Sequence, residues 1–72
     1  MTYHSDERYI KVSEVAKRIG VARSTIYRWV DEGHFPKPVI FGPVKDYNST
    51  SRWLRTEVEQ WIESRPREKT ND

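Results

Sequence analysis

Apolar residues come along this chain in short bursts, and the spacing within each burst names an element. Val15, Ala16 and Ile19 fall at i, i+1 and i+4, one face of a short helix. Ser13 ahead of them reads as an N-cap, and Glu14 sits in the first turn, where it complements the helix dipole. Gly20 is the expected stop, because glycine takes the left-handed conformation without steric cost. Before this helix, Tyr9-Ile10-Lys11-Val12 alternates weakly and predicts a short extended lead-in. A second stripe, Ile26, Trp29 and Val30, predicts a helix from Arg23 to about Glu32 that Gly33 ends. Only Gly20-Val21-Ala22 joins the two helices, too short a link for a parallel or relaxed pair. They must cross at a large angle as a helix-turn-helix unit, with Val21 pointing inward to pin the crossing.

Further along, the period shortens. Pro36 and Pro38 bar helix around residues 35–38. Val39-Ile40-Phe41 is β-prone, Gly42-Pro43 is a turn signal, and Ser51-Arg52-Trp53-Leu54 is β-prone again. The polar stretch from Val44 to Thr50 between them predicts a hairpin with a long, mobile tip, a wing. Thr56-Glu57-Val58-Glu59 then has the form of a capping box, and Val58, Trp61 and Ile62 form the buried face of a third helix up to Pro66. Helix, turn, helix, hairpin, helix is a winged helix-turn-helix: mainly α, three short helices plus a small β-hairpin wing. The expected layout is a loose leader over 1–8, the folded domain over 9–64 and a charged tail over 65–72.

Composition narrows the function. Seventy-two residues make one domain with a thin stability margin. Without cysteine there are neither disulfides nor thiolate metal sites, which suits a reducing compartment. His4 and His34 stand 30 positions apart and read as solvated side chains, so neither a metal nor a cofactor is expected. No apolar run approaches a membrane span and no signal-peptide core is present, so the expectation is a soluble protein of the bacterial cytoplasm, associated with the nucleoid. The net charge of +2 hides an asymmetry. Residues 8–55 hold ten Lys and Arg against four acids, +6, between flanks of −2 each. A basic middle points to a polyanion, and phosphate is the commonest one.

The second helix carries the candidate chemistry. With Ile26, Trp29 and Val30 turned to the core, Arg23, Ser24, Tyr27 and Arg28 face outward and Thr25 lies at the margin. One α-helix fits the major groove of a DNA duplex, where Arg forks onto guanine and Ser, Thr and Tyr reach phosphates, bases or a thymine methyl. Taken singly, Arg23 and Arg28 fit ordinary solvated charges as well as they fit a DNA contact; it is their company with Ser24, Thr25 and Tyr27 on one helix face that points to DNA. Lys17 and Arg18 complement the dipole at the end of the first helix and are also candidates for phosphate. Lys45 at the hairpin tip and Arg52 on its return strand are candidates for the flanking backbone or minor groove, with Lys37 and Arg55 in support. The tryptophans invite a base-stacking reading, but Trp29 and Trp61 lie on apolar stripes and Trp53 adjoins Leu54, so all three are expected in the core. Catalysis finds no support: there is no Gly-rich phosphate loop, no Ser-His-Asp or Cys set, and little volume for a cleft or a small-molecule substrate.

The runs Ile10-Lys11-Val12-Ser13-Glu14-Val15-Ala16 and Gly20-Val21-Ala22-Arg23-Ser24-Thr25-Ile26-Tyr27-Arg28-Trp29-Val30 closely resemble the AlpA-like family. The likeness continues through Gly33-His34-Phe35-Pro36-Lys37-Pro38-Val39, Gly42-Pro43, Arg52-Trp53 and Glu57-Val58-Glu59-Gln60-Trp61-Ile62, covering about residues 9–63. These are small phage-type regulators and excisionases related to the DNA-binding part of the MerR family. The resemblance implies a winged helix-turn-helix on phage or mobile-element DNA, acting on an integrase gene or as a recombination directionality factor. By position it makes Arg23, Ser24, Thr25, Tyr27 and Arg28 the recognition helix and residues 41–53 the wing. Two departures stand out: Ala22 occupies an N-cap position usually held by Ser or Thr, a loss of roughly 1 kcal/mol at that helix start, and residues 46–51 look like an insertion in the wing.

The leading expectation is therefore sequence-specific binding of double-stranded DNA, in transcription or excision. The alternative is a protein-interaction adaptor for an integrase or polymerase, with only weak DNA binding. A module this small buries about 600–1,000 Å² on DNA, so cooperative binding of several copies at repeated sites, or alongside an integrase, is expected.

Overall fold

The computed structural model describes residues 8–68. Residues 1–7 of the expected leader and 69–72 of the expected tail lie outside the described residues. The chain runs β1 (Tyr9–Ile10), α1 (Val12–Ile19), α2 (Arg23–Asp31), β2 (Val39–Ile40), a 3-10 turn (Val44–Asp46) leading into α3 (Tyr47–Thr50), β3 (Ser51–Leu54) and α4 (Arg55–Glu63). The strands form one antiparallel sheet in the order β1-β3-β2, with Ile10 opposite Trp53 and Ile40 opposite Ser51. This is the mainly helical fold with a small hairpin that the periodicity implies, in a form compatible with a winged helix-turn-helix.

The core gathers side chains from all the longer helices and from β1, β3 and the link after α2. Ile10, Val12, Val15, Ala16, Ile26, Val30, Phe35, Trp53 and Val58 are buried, and Val21 in the turn packs against them. Gly20 holds φ 86° and donates its N–H to the Ala16 carbonyl, ending α1 as expected. Phe35 forms an aromatic floor with Trp53 and Trp61, at centroid distances of 6.0 and 4.7 Å. The indole N–H groups of Trp53 and Trp61 donate to the Pro36 and His34 carbonyls at 2.7 and 2.9 Å, so neither ring strands its donor on packing inward. Trp53 is fully enclosed, whereas Trp29 and Trp61 are half-buried against each other at 5.8 Å on one flank, less interior than their stripes implied.

Three local expectations need correction. Helix α1 starts at Val12 rather than after Ser13: the Lys11 carbonyl accepts from both Glu14 and Val15, and burial of Val12 fixes the start. Helix α4 starts at Arg55, so Thr56 lies inside it and no capping box forms. The Arg55 N–H instead donates to the Arg8 carbonyl beside β1, at 2.8 Å. Of the α4 stripe, Val58 is fully buried and Trp61 half-buried, but Ile62 is exposed.

The wing tip is the third correction, since it is folded rather than loose. Its neck is closed by the Phe41 N–H donating to the Thr50 carbonyl, and Gly42 passes so close to Thr50 that a Cβ there would lie 2.8 Å from its methyl carbon. Within the tip, the hydroxyls of Ser49 and Thr50 donate back to the Asp46 carbonyl, and that of Ser51 to the Tyr47 carbonyl. Such back-bonding lets polar residues with poor helix propensity close a helical turn.

Candidate nucleic-acid interface

The helix-turn-helix crossing turns α2 so that Ile26 and Val30 are buried while Arg23, Ser24 and Arg28 are exposed. Thr25 is half-buried at the margin. Arg28 makes only a long contact, 3.9 Å, with Glu32 one turn on, and an exposed pair at that distance holds the guanidinium weakly. The N-cap of α2 is Ala22, which makes no side-chain capping bond. The first N–H groups of α2 therefore depend on solvent or a ligand for acceptors.

Tyr27 sits differently from its helical-wheel position. It is half-buried, packed on Tyr47 at 5.6 Å and on Trp53 at 6.1 Å, and its hydroxyl donates to the Asn48 carbonyl at 3.1 Å. Burial raises its pKa above the ordinary tyrosine value, outweighing the Ser51 hydroxyl and the Arg23 and Arg52 cations, which lower it. The phenol stays protonated and can go on donating. Tyr27 thus bolts the wing tip to α2, a role invisible in the sequence because α3 is formed by distant residues.

Arg52 lies on β3, half-buried, and its Nη1 donates to the Ser49 and Ser51 carbonyls at 3.1 and 2.9 Å. Between the start of α1, the start of α2 and the wing tip lie two adjoining hollows of about 280 and about 290 Å³. Arg23, Asn48 and Val12 line both, Ser24 and Tyr27 the first, and Lys11, Ser13, Ser49 and Arg52 the second. Neither hollow is lined by a carboxylate. Spacing alone gives Lys11, Ser13, Asn48 and Ser49 no place in an interface, Ser13 reading only as a helix cap. In the sequence Lys11 falls in the extended lead-in and Asn48 and Ser49 in the polar stretch between the β-prone runs.

The remaining candidates scatter. Lys45 is exposed on the 3-10 turn and Lys37 on the link before β2, and Lys17 is exposed near the end of α1. Arg18 is engaged by Glu14 at 3.1 Å and Glu59 at 3.2 Å, tying α1 to α4. Arg55 shares Glu59 at 3.6 Å. Among the described residues there is no group of His, Cys, Asp and Glu suited to a metal ion, and no helix is long and apolar enough to cross a membrane.

Comparison with known proteins gives this arrangement a context. Residues 8–66 match the family described as Prophage CP4-57 regulatory protein (AlpA). The chain is 36% identical over 61 residues to "Uncharacterized protein ORF88" of Enterobacteria phage P4, a match covering 85% of this chain and 64% of that protein. It is 30% identical over 71 residues to "DNA-binding transcriptional activator AlpA" of Escherichia coli (strain K12), covering 90% of this chain and 94% of that one. The chain thus spans just under two thirds of the phage relative and nearly all of the bacterial one. No solved structure matches it.

Proposed function

This chain belongs to the AlpA family of prophage regulatory proteins, and from that footing we propose that it binds double-stranded DNA at specific sites and regulates transcription of phage or mobile-element genes. Helix α2 enters the major groove, with Arg23, Ser24, Thr25 and Arg28 toward the bases and bordering phosphates. The wing tip, with Lys45 and Arg52, follows the flanking backbone, and Lys17 and Lys37 extend the same contact. Tyr27 holds these two elements in fixed relation. The observation that carries the reading is the two-sided character of α2: Ile26 and Val30 are sealed in the core while Arg23 and Ser24 stand in solvent at an uncapped helix start and Arg28 stands in solvent on the last turn. A basic, hydroxyl-bearing helix N-terminus is suited to a phosphate-lined groove. The same contact, repeated by several copies along an attachment site or beside an integrase, would serve excision control. Such a protein works in the cytoplasm on nucleoid DNA, without catalysis.

The test is a footprint of the full chain on DNA from its own genomic neighbourhood, followed by affinity against salt. Each neutralised phosphate contributes about −0.9 to the log–log slope, so a protein with several contacts loses affinity steeply as salt rises. A flat salt response, or no footprint, overturns the reading. It would favour an adaptor for an integrase or polymerase, for which the half-exposed Trp29–Trp61 flank is the one supporting observation. Sedimentation with and without the footprinted duplex tests cooperative binding.

A further inference from the structure

We propose that the hollow shared by the starts of α1 and α2 and the wing tip is a seat for a single phosphate group, supplied by the backbone of bound duplex DNA. The source of the phosphate rests on the DNA-binding reading above; the seat itself rests on side chains brought together from three separate segments. Lys11 stands at the N-cap of α1, Arg23 is the first residue of α2 and Arg52 lies on β3, and all three line the same hollow. No carboxylate joins them there; Glu14 lines instead the hollow on the other side of Lys11 and Ser13, toward Arg18, where Arg18 engages it at 3.1 Å. Cations concentrated without a counter-charge attract an anion.

The backbone adds to the charge. Both α1 and α2 begin without a side-chain capping bond, Lys11 and Ala22 being unable to supply one, and these are full helices of 8 and 9 residues. The amides of Val12, Ser13, Arg23 and Ser24 lie in their first turns, where N–H groups have no intrahelical acceptor and the dipole favours negative charge. Ser13 and Ser49 add hydroxyl donors to the same wall. The far wall is held in place beforehand: Arg52 is braced by the Ser49 and Ser51 carbonyls, and Asn48 is fastened by the Tyr27 hydroxyl. A tetrahedral oxyanion there meets three cations and several donors in a shape set before binding, which keeps the entropic cost of capture low.

Two arms separate the seat from its source. In the first, the isotope-labelled full chain is titrated with inorganic phosphate at constant ionic strength. Saturating shifts are expected for the amides of Ser13, Arg23, Ser24 and Asn48, and both Lys11→Gln and Arg52→Gln should abolish them. Shifts that never saturate, or that appear equally at the start of α4, overturn the seat as an adventitious ion only. In the second arm, Lys11→Gln is measured on the footprinted duplex against salt, with an unchanged unfolding midpoint as the check that the exposed substitution leaves the fold intact. The slope should shrink by about 0.9, with sequence preference unaltered. An unchanged slope overturns the DNA backbone as the source. Saturating phosphate shifts in a protein with no duplex affinity would leave the seat standing and remove the DNA-binding reading, so the two failures are distinct.

Discussion

The aromatic floor and the α2–wing seam are opposite kinds of surface in a domain of 72 residues. On the floor, Phe35, Trp53 and Trp61 interlock, and the indole donors end on the Pro36 and His34 carbonyls. On the seam, Lys11, Arg23 and Arg52 line a hollow that holds no carboxylate. One region has closed its polar accounts internally and the other has left them open to a partner. The enclosed Trp53 anchors the first region, and the proposed contact with DNA falls on the second.

The sharpest way to break this contrast is Trp53→Ala. Loss of the enclosed indole should cost roughly 3–5 kcal/mol, much of the stability of so small a domain, and appear as a large fall in the thermal midpoint. If binding and stability were not segregated, Arg28→Ala would also unfold the protein. Instead it should lose roughly 1–3 kcal/mol on the specific duplex and relax base preference there, with an unchanged melting curve. Ala22→Ser supplies the missing cap and should raise unfolding free energy by about 1 kcal/mol in urea titrations, showing that the seam carries slack that the floor does not.

The smallest effect is a pH dependence. Burial raises the pKa of Tyr27 and of Tyr47, the latter further raised by Tyr27 and Asp31. The folded state thus favours the neutral phenols. Their contribution is fully present below the ordinary tyrosine value of about 10 and is lost as pH rises through the folded-state values. Denaturation followed between about pH 8 and about pH 11 should show this decline, and Tyr27→Phe should flatten it.

Most of the helical frame was legible because local signals agreed with each other. Val15, Ala16 and Ile19 gave a face, Gly20 a stop and Ile26 and Val30 a second face, and the short link left a single geometry. The helix starts were misread by one or two residues at Ser13 and Thr56, since β1 and β3 run almost directly into α1 and α4 and their pairing, rather than a side-chain cap, sets the boundary. The tip was illegible for a different reason. Tyr-Asn-Ser-Thr over 47–50 has neither apolar periodicity nor helix propensity, and its turn is held by hydroxyl back-bonds and by the Tyr27–Tyr47 contact, which links residues twenty positions apart. For the candidate site the pattern was similar. Arg23, Ser24 and Arg28 follow from one helix wheel, while Lys11, Ser13, Asn48 and Ser49 join them only once three segments have been brought into register.

The close pass of Gly42 beside Thr50 has a consequence for how such a protein can diversify. Because the loop is pinched shut at its base and its tip is tied to α2 and to the start of β3, its length is fixed from several sides, whereas the exposed side chains of Val44 and Lys45 can change without shifting the strand that carries Trp53. Diversification at this lobe is thus confined to the charge and polarity of its outer face, with the interior kept as a constant.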